Sequence, residues 1–285
     1  MKNIFYTFFL LLGVALFAEA KVEKKEANVT IPASAGEEMK LEALKAEEKA
    51  GITATRGDIK VIEASENIRY LSQKMVKDYL FFYKNPEKAD VKNSLNKTLN
   101  KLSNDLRIIA TTTKDTDTKD LLEFLAYSKD QIEQIFNEKT DEEKAALMLD
   151  YSETLLEGAD SIANAHKYNF SEEEKMLMVT KEMEYLLERI TKYYMALHVG
   201  FNNDINIEQM QESITKLEEN IAQINNYTYP AEFQKAQVKM NESWKANKSF
   251  FDQSETLFIP KLMFTSVDYM QDFVVQIALH HSKNQ

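Results

Sequence analysis

Apolar positions recur at intervals of three and four residues along most of this chain, with polar residues between them. That interval is typical of helices that bury one stripe of their surface. A shift of 115 residues, which carries Val61 onto Met176, superimposes the stripe of the first half on that of the second. The positions matched are Val61, Ala64, Ile68, Leu71, Met75, Tyr79 and Phe82 with Met176, Val179, Met183, Leu186, Ile190, Tyr194 and Leu197. The pattern predicts an all-α protein that is a tandem repeat of one helical unit.

The breaks in this pattern predict four helices in each repeat. Those of the first repeat cover about 58–83, 91–112 and 118–137, with a fourth after the capping pattern at 140–143. Those of the second cover about 171–199, 207–225 and 233–251, with a fourth from 260 almost to the end. Four antiparallel helices with short loops can bury their stripes together. We therefore expect two antiparallel four-helix bundles, residues 58–170 and, in more degenerate form, residues 171–285.

The first residues indicate export. Lys2 precedes an apolar stretch over 4–17, and Ala18-Glu19-Ala20 is a small-x-small cleavage site, so residues 1–20 are interpreted as a signal peptide. Residues 21–57 are charged and poor in aromatics, which is typical of a linker or tail. The expected location is the periplasm, and the alternative is an uncleaved anchor.

Composition removes several classes of function. The net charge of −11 makes nucleic acid or an anionic membrane surface an unfavourable partner. The absence of cysteine excludes disulfides, thiolate metal sites and a lipid-modified cysteine. The late apolar stretch 262–279 is interrupted by Asp268, Gln271 and Asp272, so no transmembrane segment is expected after signal removal.

The first predicted helix contains Arg69-Tyr70-Leu71-Ser72-Gln73-Lys74-Met75-Val76-Lys77. This segment resembles the opening helix of the type IV pilus methyl-accepting chemotaxis transducer N-terminal (PilJ-like) domains and of related nitrate and nitrite sensor kinases. Tyr70 departs from the methionine usual in that family. The second repeat keeps a fainter likeness over 184–192, where Glu184 replaces the arginine and Leu187 replaces the serine.

The resemblance implies a periplasmic sensory domain that binds a small ligand and passes on a helix displacement. In nitrate-sensing relatives an arginine of this helix holds the anion between two subunits, and Arg69 is the matching position. The usual transmembrane helices and signalling domains are missing, so the resemblance implies a membrane-bound receptor or kinase acting in trans. A tandem repeat can supply both halves of such a site as an intrachain pseudo-dimer.

The candidate ligand-binding residues are Arg69, Ser72, Gln73, Lys74 and Arg189. The guanidinium of Arg69 suits an oxyanion, and Ser72 and Gln73 lie three and four positions along the same helix. The alternative for Arg69 is an ion pair with Glu66. Lys74 and Arg189 would be secondary contacts in a pseudo-dimer.

Several conspicuous residues have simpler explanations. The recurring cations Lys74, Lys77, Arg189 and Lys192 are interpreted first as a solvated face. Tyr79, Tyr194 and most methionines are expected to pack in the cores. His166 and His281 lie near the ends of helices, where the helix dipole favours histidine.

The sequence contains no Gly-x-Ser-x-Gly elbow, Gly-rich phosphate loop or His-Glu-x-x-His pair. The carboxylates are expected on polar faces, and no cofactor, metal site or catalytic residue is predicted. The leading hypothesis is a non-catalytic sensory module. A structural or adaptor bundle that binds another protein is the alternative, and an enzyme is a weaker third.

Overall fold

The computed structural model describes residues 55–254 and 256–284. The predicted signal peptide 1–20 and residues 21–54 of the predicted linker lie outside this part of the chain. Residues 55–57 belong to the first helix and its cap instead of the linker, because Thr55 and Asp58 form a capping box there.

The described residues form eight α-helices and no strand. In chain order the helices are α1 (Arg56–Lys84), α2 (Ala89–Thr112), α3 (Thr116–Asn137), α4 (Glu142–Ala165), α5 (Glu172–Val199), α6 (Asp204–Asn226), α7 (Ala231–Phe251) and α8 (Pro260–Asn284). The prediction of an all-α protein is confirmed, and the helix ends lie within a few residues of those expected.

Local chemistry accounts for the ends of α5. Ser171 and Glu174 form a capping box at its start, which satisfies two free backbone N–H groups. Gly200 ends the helix with φ of 111°, a left-handed conformation that a side chain would strain. They place the ends of α5 within one residue of the predicted range 171–199.

The helices pack as two rings of four. In the first ring α1 contacts α2 and α4, and α3 completes it between them; α5 to α8 repeat the arrangement, with only slight contact between α6 and α7. The apolar core divides into two clusters that follow the two rings, except that Met195, Ala196 and Val199 of α5 belong to the first cluster. This packing is compatible with two tandem four-helix bundles.

Helices α1 and α5 also pack against each other, which places the two rings side by side within one compact unit. We call this contact, with the parts of α4 and α8 that reach it, the interbundle seam. Helices α1 and α5 are therefore each covered on one side by the other helices of their own ring and on the opposite side by the seam. Over much of their length α1 and α5 have no solvated face.

The cores contain most of the expected residues. Tyr79 and Tyr194 are buried as predicted. Leu147 and Leu262, which correspond under the repeat, are exposed, and the neighbouring Met148 and Met263 are buried. Within 55–254 and 256–284, none of the helices has the length and apolarity needed to cross a membrane.

Candidate functional site at the interbundle seam

The seam is lined by ionised side chains that are almost inaccessible to water. Lys77 and Lys192, which correspond under the repeat, are 2% and 0% exposed, and Glu188 is 0% exposed. The prediction that the recurring cations form a solvated face is therefore wrong, and so is the placing of Glu188 on a polar face. The reason is the double burial of α1 and α5, which removes the polar side of each helix from water.

The cations of the first repeat are held by a carboxylate of the second. Lys77 Nζ lies 2.7 Å from Glu188 Oε2, and Lys74 Nζ lies 3.7 Å from Glu188 Oε1. Burial acts to raise the pKa of Glu188, but the two lysines outweigh it and bring that pKa to about 2. Asp78 lies 3.7 Å from Lys77 Nζ, and Asp268 acts on the same lysine. Carboxylates thus outnumber cations in this half of the seam.

The cations of the second repeat share a single carboxylate. Glu153, on α4, accepts hydrogen bonds from both Arg189 and Lys192, and its Oε2 lies 2.7 Å from Arg189 Nη2. Burial raises the pKa of Glu153, yet Lys192 and Arg189 bring it down to about 2. Burial and the neighbouring Arg189 lower the pKa of Lys192 to about 8, against the opposing effect of Glu153. One carboxylate does not fully compensate two buried cations.

Gln73 and Arg189, two of the predicted ligand-binding residues, belong to the same cluster. Gln73 Nε2 donates to the backbone oxygen of Ser152 at 3.3 Å, and Lys192 Nζ donates to the Ser152 hydroxyl at 3.1 Å. Gln73 Oε1 is buried and has no hydrogen-bond partner within the described chain. We call Gln73, Ser152, Glu153, Arg189 and Lys192 the cation-rich cluster.

Arg69 makes its contacts elsewhere in the seam. Its Nη1 donates to both carboxylate oxygens of Glu66, the nearer at 2.8 Å, and its guanidinium lies 4.2 Å from the centre of the Tyr185 ring. The Glu66 ion pair that was weighed as the alternative is thus the one formed. Burial alone would lower the pKa of Arg69, but Glu66 and Tyr185 raise it.

Ser72 and Lys74, the remaining predicted ligand-binding residues, lie outside the cation-rich cluster. The Ser72 hydroxyl donates to the backbone oxygen of Arg69 at 2.8 Å, so it closes on its own helix. Lys74 contacts Asp78 and Glu188. The seam therefore contains all five predicted residues, but not as one constellation.

The ion pair of Arg69 is reversed in the second repeat. Lys181 stands at the position of Glu66 and Glu184 at the position of Arg69, and these two also pair at a spacing of three residues. The reversed pair is more exposed. A ligand site at Arg69 would therefore present a positive charge, and the equivalent site at Glu184 would present a negative charge.

Two cavities open beside the seam. One, of about 550 Å³, is lined by Asn67, Tyr70, Leu71, Asn100, Lys101, Asn104, Asp105 and Glu184. The other, of about 320 Å³, lies where α1, α5 and α8 meet. It has an apolar wall that includes Leu177, Met178, Val275 and Leu279, with Glu63, Glu66 and Glu184 among its polar residues. Carboxylates outnumber lysines in both walls, where the cations are Lys101 in the first cavity and Lys181 in the second, so neither cavity is built for an anion.

Each bundle is closed by a carboxylate–histidine contact that we call a clasp. His166 Nδ1 lies 2.8 Å from Asp58 Oδ1, and His281 Nδ1 lies 2.6 Å from Glu173 Oε2. His166 Nε2 faces the Thr118 hydroxyl at 3.1 Å. The resulting row of carboxylate, imidazole and hydroxyl is the arrangement of a catalytic triad. Thr118 is only 1% exposed, so a substrate could not reach this hydroxyl.

Sequence reasoning assigned these histidines to the helix dipole and missed the clasps. The signal was present, because Asp58 and Glu173 are related by the same shift that relates His166 and His281.

Searches of protein-family models, of curated proteins and of solved structures gave no match to this chain.

Proposed function

We propose that this protein is an exported, non-catalytic sensory module that binds a small anion in the cation-rich cluster and signals through a membrane-bound partner. The observation that carries the proposal is the sharing of one carboxylate, Glu153, by two buried cations, Arg189 and Lys192. Export and the membrane partner rest on the sequence of residues 1–20 and on the resemblance of α1 to sensory domains.

The charge balance favours an anion at this cluster over other parts of the seam. Buried cations without full compensation attract a small oxyanion, and a guanidinium can hold one through two parallel hydrogen bonds. Lys74 and Lys77 face a surplus of carboxylates, and Arg69 does not share Glu66 with a second cation, whereas Arg189 shares Glu153 with Lys192. Arg189 is therefore a better candidate than Arg69, the position that the resemblance selected.

The position of Glu153 suggests how binding is transmitted. Glu153 lies on α4 of the first bundle, and both of its cationic partners lie on α5 of the second. An anion that takes over Arg189 and Lys192 releases Glu153 and with it one tie between α4 and α5. Because a ligand shifts a conformational equilibrium only through its differential affinity for two states, this exchange of partners is the step that couples ligand to helix position.

Thermal unfolding of the purified protein with a panel of small anions, nitrate and nitrite included, tests the proposal. A ligand at 100 times its dissociation constant adds about 2.7 kcal/mol of stability, which is a shift of several degrees. We expect the shift to be lost in Arg189→Gln protein and kept in the matched Lys74→Gln protein. Glu153→Gln protein should bind the anion more tightly, because the internal competitor is gone.

No shift with any anion, or equal shifts in the Arg189→Gln and Lys74→Gln proteins, would remove the support for this site. A mass measurement in solution tests the pseudo-dimer separately. We expect a monomer, since one chain supplies both bundles, and an obligate dimer would contradict this.

The cavity where α1, α5 and α8 meet favours a protein-binding adaptor as the second candidate function. Its apolar wall includes Val275 and Leu279, which are 41% and 50% exposed. Apolar side chains left in contact with water at a groove are typical of a protein-binding surface. If no anion binds and a Leu279→Glu protein loses an associated protein that the unaltered chain retains, the adaptor function is the better explanation.

A further inference from the structure

The clasp of the second bundle is surrounded by groups that the first bundle lacks. His280 precedes His281 on α8, and nitrogen atoms of both histidines and an oxygen of Glu173 lie within 4.8 Å of one another. At the position of His280 the first repeat has Ala165. The second clasp therefore offers three ligand atoms where the first offers two.

Two tyrosines orient these groups from behind. The Tyr229 hydroxyl lies 2.9 Å from His281 Nε2, and the Tyr227 hydroxyl donates to Glu173 Oε1. Glu173 and His281 thus each have one atom fixed by a phenol and another atom directed towards the other two groups, while His280 Nδ1 faces the Asn284 amide at 3.4 Å. Outer partners of this kind fix the ring orientation of metal-binding histidines and hold metal-binding carboxylates in place.

We propose that Glu173, His280 and His281 form a Zn²⁺ site at the end of the second bundle, with an open fourth position. Two imidazoles and one carboxylate are a ligand set that zinc accepts in tetrahedral geometry, at bonds of about 2.0 to 2.2 Å. Zinc would take the place of the hydrogen bond between His281 Nδ1 and Glu173, with the imidazole proton carried on Nε2 facing the Tyr229 hydroxyl, and the contact of 2.6 Å would lengthen to make room for the ion. The site is independent of the anion proposed above, which concerns the seam.

Calorimetric titration with Zn²⁺ tests the proposal on purified protein whose affinity tag has been removed. We expect one equivalent to bind and to raise the melting temperature. Co²⁺ substituted at the same site should give the visible absorption of a tetrahedral complex. His280→Ala protein should lose both effects while it keeps the His281–Glu173 contact, and Glu173→Gln protein should lose them too.

His166→Gln protein is the matched control, since it removes the first clasp and leaves the three proposed ligands in place. It should bind zinc like the unaltered protein. Binding that persists in His280→Ala protein, or its absence in the unaltered protein, would overturn the site. Equal losses in the His166→Gln and His280→Ala proteins would assign the effect to weakened bundles and not to ligands, which also rejects the proposal.

Discussion

His166 Nδ1 lies 2.8 Å from Asp58 Oδ1, although the two residues are 108 positions apart in the chain. The same separation joins His281 to Glu173 in the second bundle. In both bundles the contact ties the start of the first helix to the end of the last, so the chain ends of each repeat meet.

We expect His166→Gln to destabilise the protein by about 1 to 3 kcal/mol, because hydrogen bonds to charged groups contribute about that much. Urea unfolding measures the change in the free energy of unfolding. In a double-mutant cycle with Asp58→Asn, the two losses should not add, since both variants remove one contact. Additive losses would contradict the clasp.

The two equivalent buried lysines should differ in importance. Lys77→Met leaves Glu188 fully buried with Lys74, 3.7 Å away, as its nearest cation and Gln271 Nε2 as its hydrogen-bond donor, and removing one member of a buried ion pair costs about 3 to 5 kcal/mol. Lys192→Met leaves Glu153 paired with Arg189 at 2.7 Å, so we expect less than half that loss. Denaturant unfolding of both variants gives the comparison, and equal losses would count against the unequal sharing of carboxylates.

Lys192 should also make stability depend on alkaline pH. Its pKa is about 8 in the folded protein and 10.5 in an ordinary lysine. Between these values the unfolded chain binds more protons than the folded protein, so this residue makes the free energy of unfolding rise with pH. Unfolding curves at pH 8 and 10.5 should therefore show a stability advantage over Lys192→Met protein that grows with pH. A constant difference would show that burial of Lys192 does not shift its pKa.

Two helical glycines should respond to alanine to different extents. A Cβ on Gly158 would lie 2.5 Å from a methyl carbon of Leu125, so overpacking should destabilise the protein by about 1 to 3 kcal/mol. A Cβ on Gly57 would lie 3.3 Å from Thr55 Oγ1, the oxygen that caps α1, which is a much smaller overlap, so Gly57→Ala should change the stability by less than about 1 kcal/mol. Melting temperatures of the two variants should move apart, and a rise for Gly158→Ala would refute the tight contact between α3 and α4.

The paired charges at matching repeat positions supply a further test. Arg69→Met leaves Glu66 buried without its cation, whereas Lys181→Met removes a partly exposed pair. We expect the first variant to lose several kcal/mol and the second less than about 1 kcal/mol. Thermal and urea unfolding should agree on this order, and its reversal would mean that Glu66 is not held by Arg69.

The helices could be predicted because their stripes follow from local sequence. The spacing of residues such as Leu71 and Met75 depends only on the period of a helix, and Ser171 and Gly200 mark ends through local backbone chemistry. What local pattern does not contain is the second contact made by α1 and α5. That contact buries Lys77 and Glu188, which the pattern of each helix taken alone would place on its solvent-exposed face.

The candidate site was harder to predict for the same reason. Arg189 and Gln73 were selected, but Glu153 and Ser152, which bring them together, lie on another helix and carry no motif. The clasps were accessible in principle, because a carboxylate and a histidine recur at the repeat distance. Pairing them required knowledge that the first and last helices of each unit lie side by side.

The meeting of chain ends in each repeat bears on how such a protein could arise. A unit whose first and last residues lie close together can be duplicated head to tail with only a short connector, here residues 166–171. Both copies can then keep the same helix order and packing. Once the copies were covalently joined, their equivalent positions were free to diverge in charge, as Arg69 and Glu184 have done. Two identical subunits encoded by one gene cannot diverge in this way, because every substitution is present in both subunits.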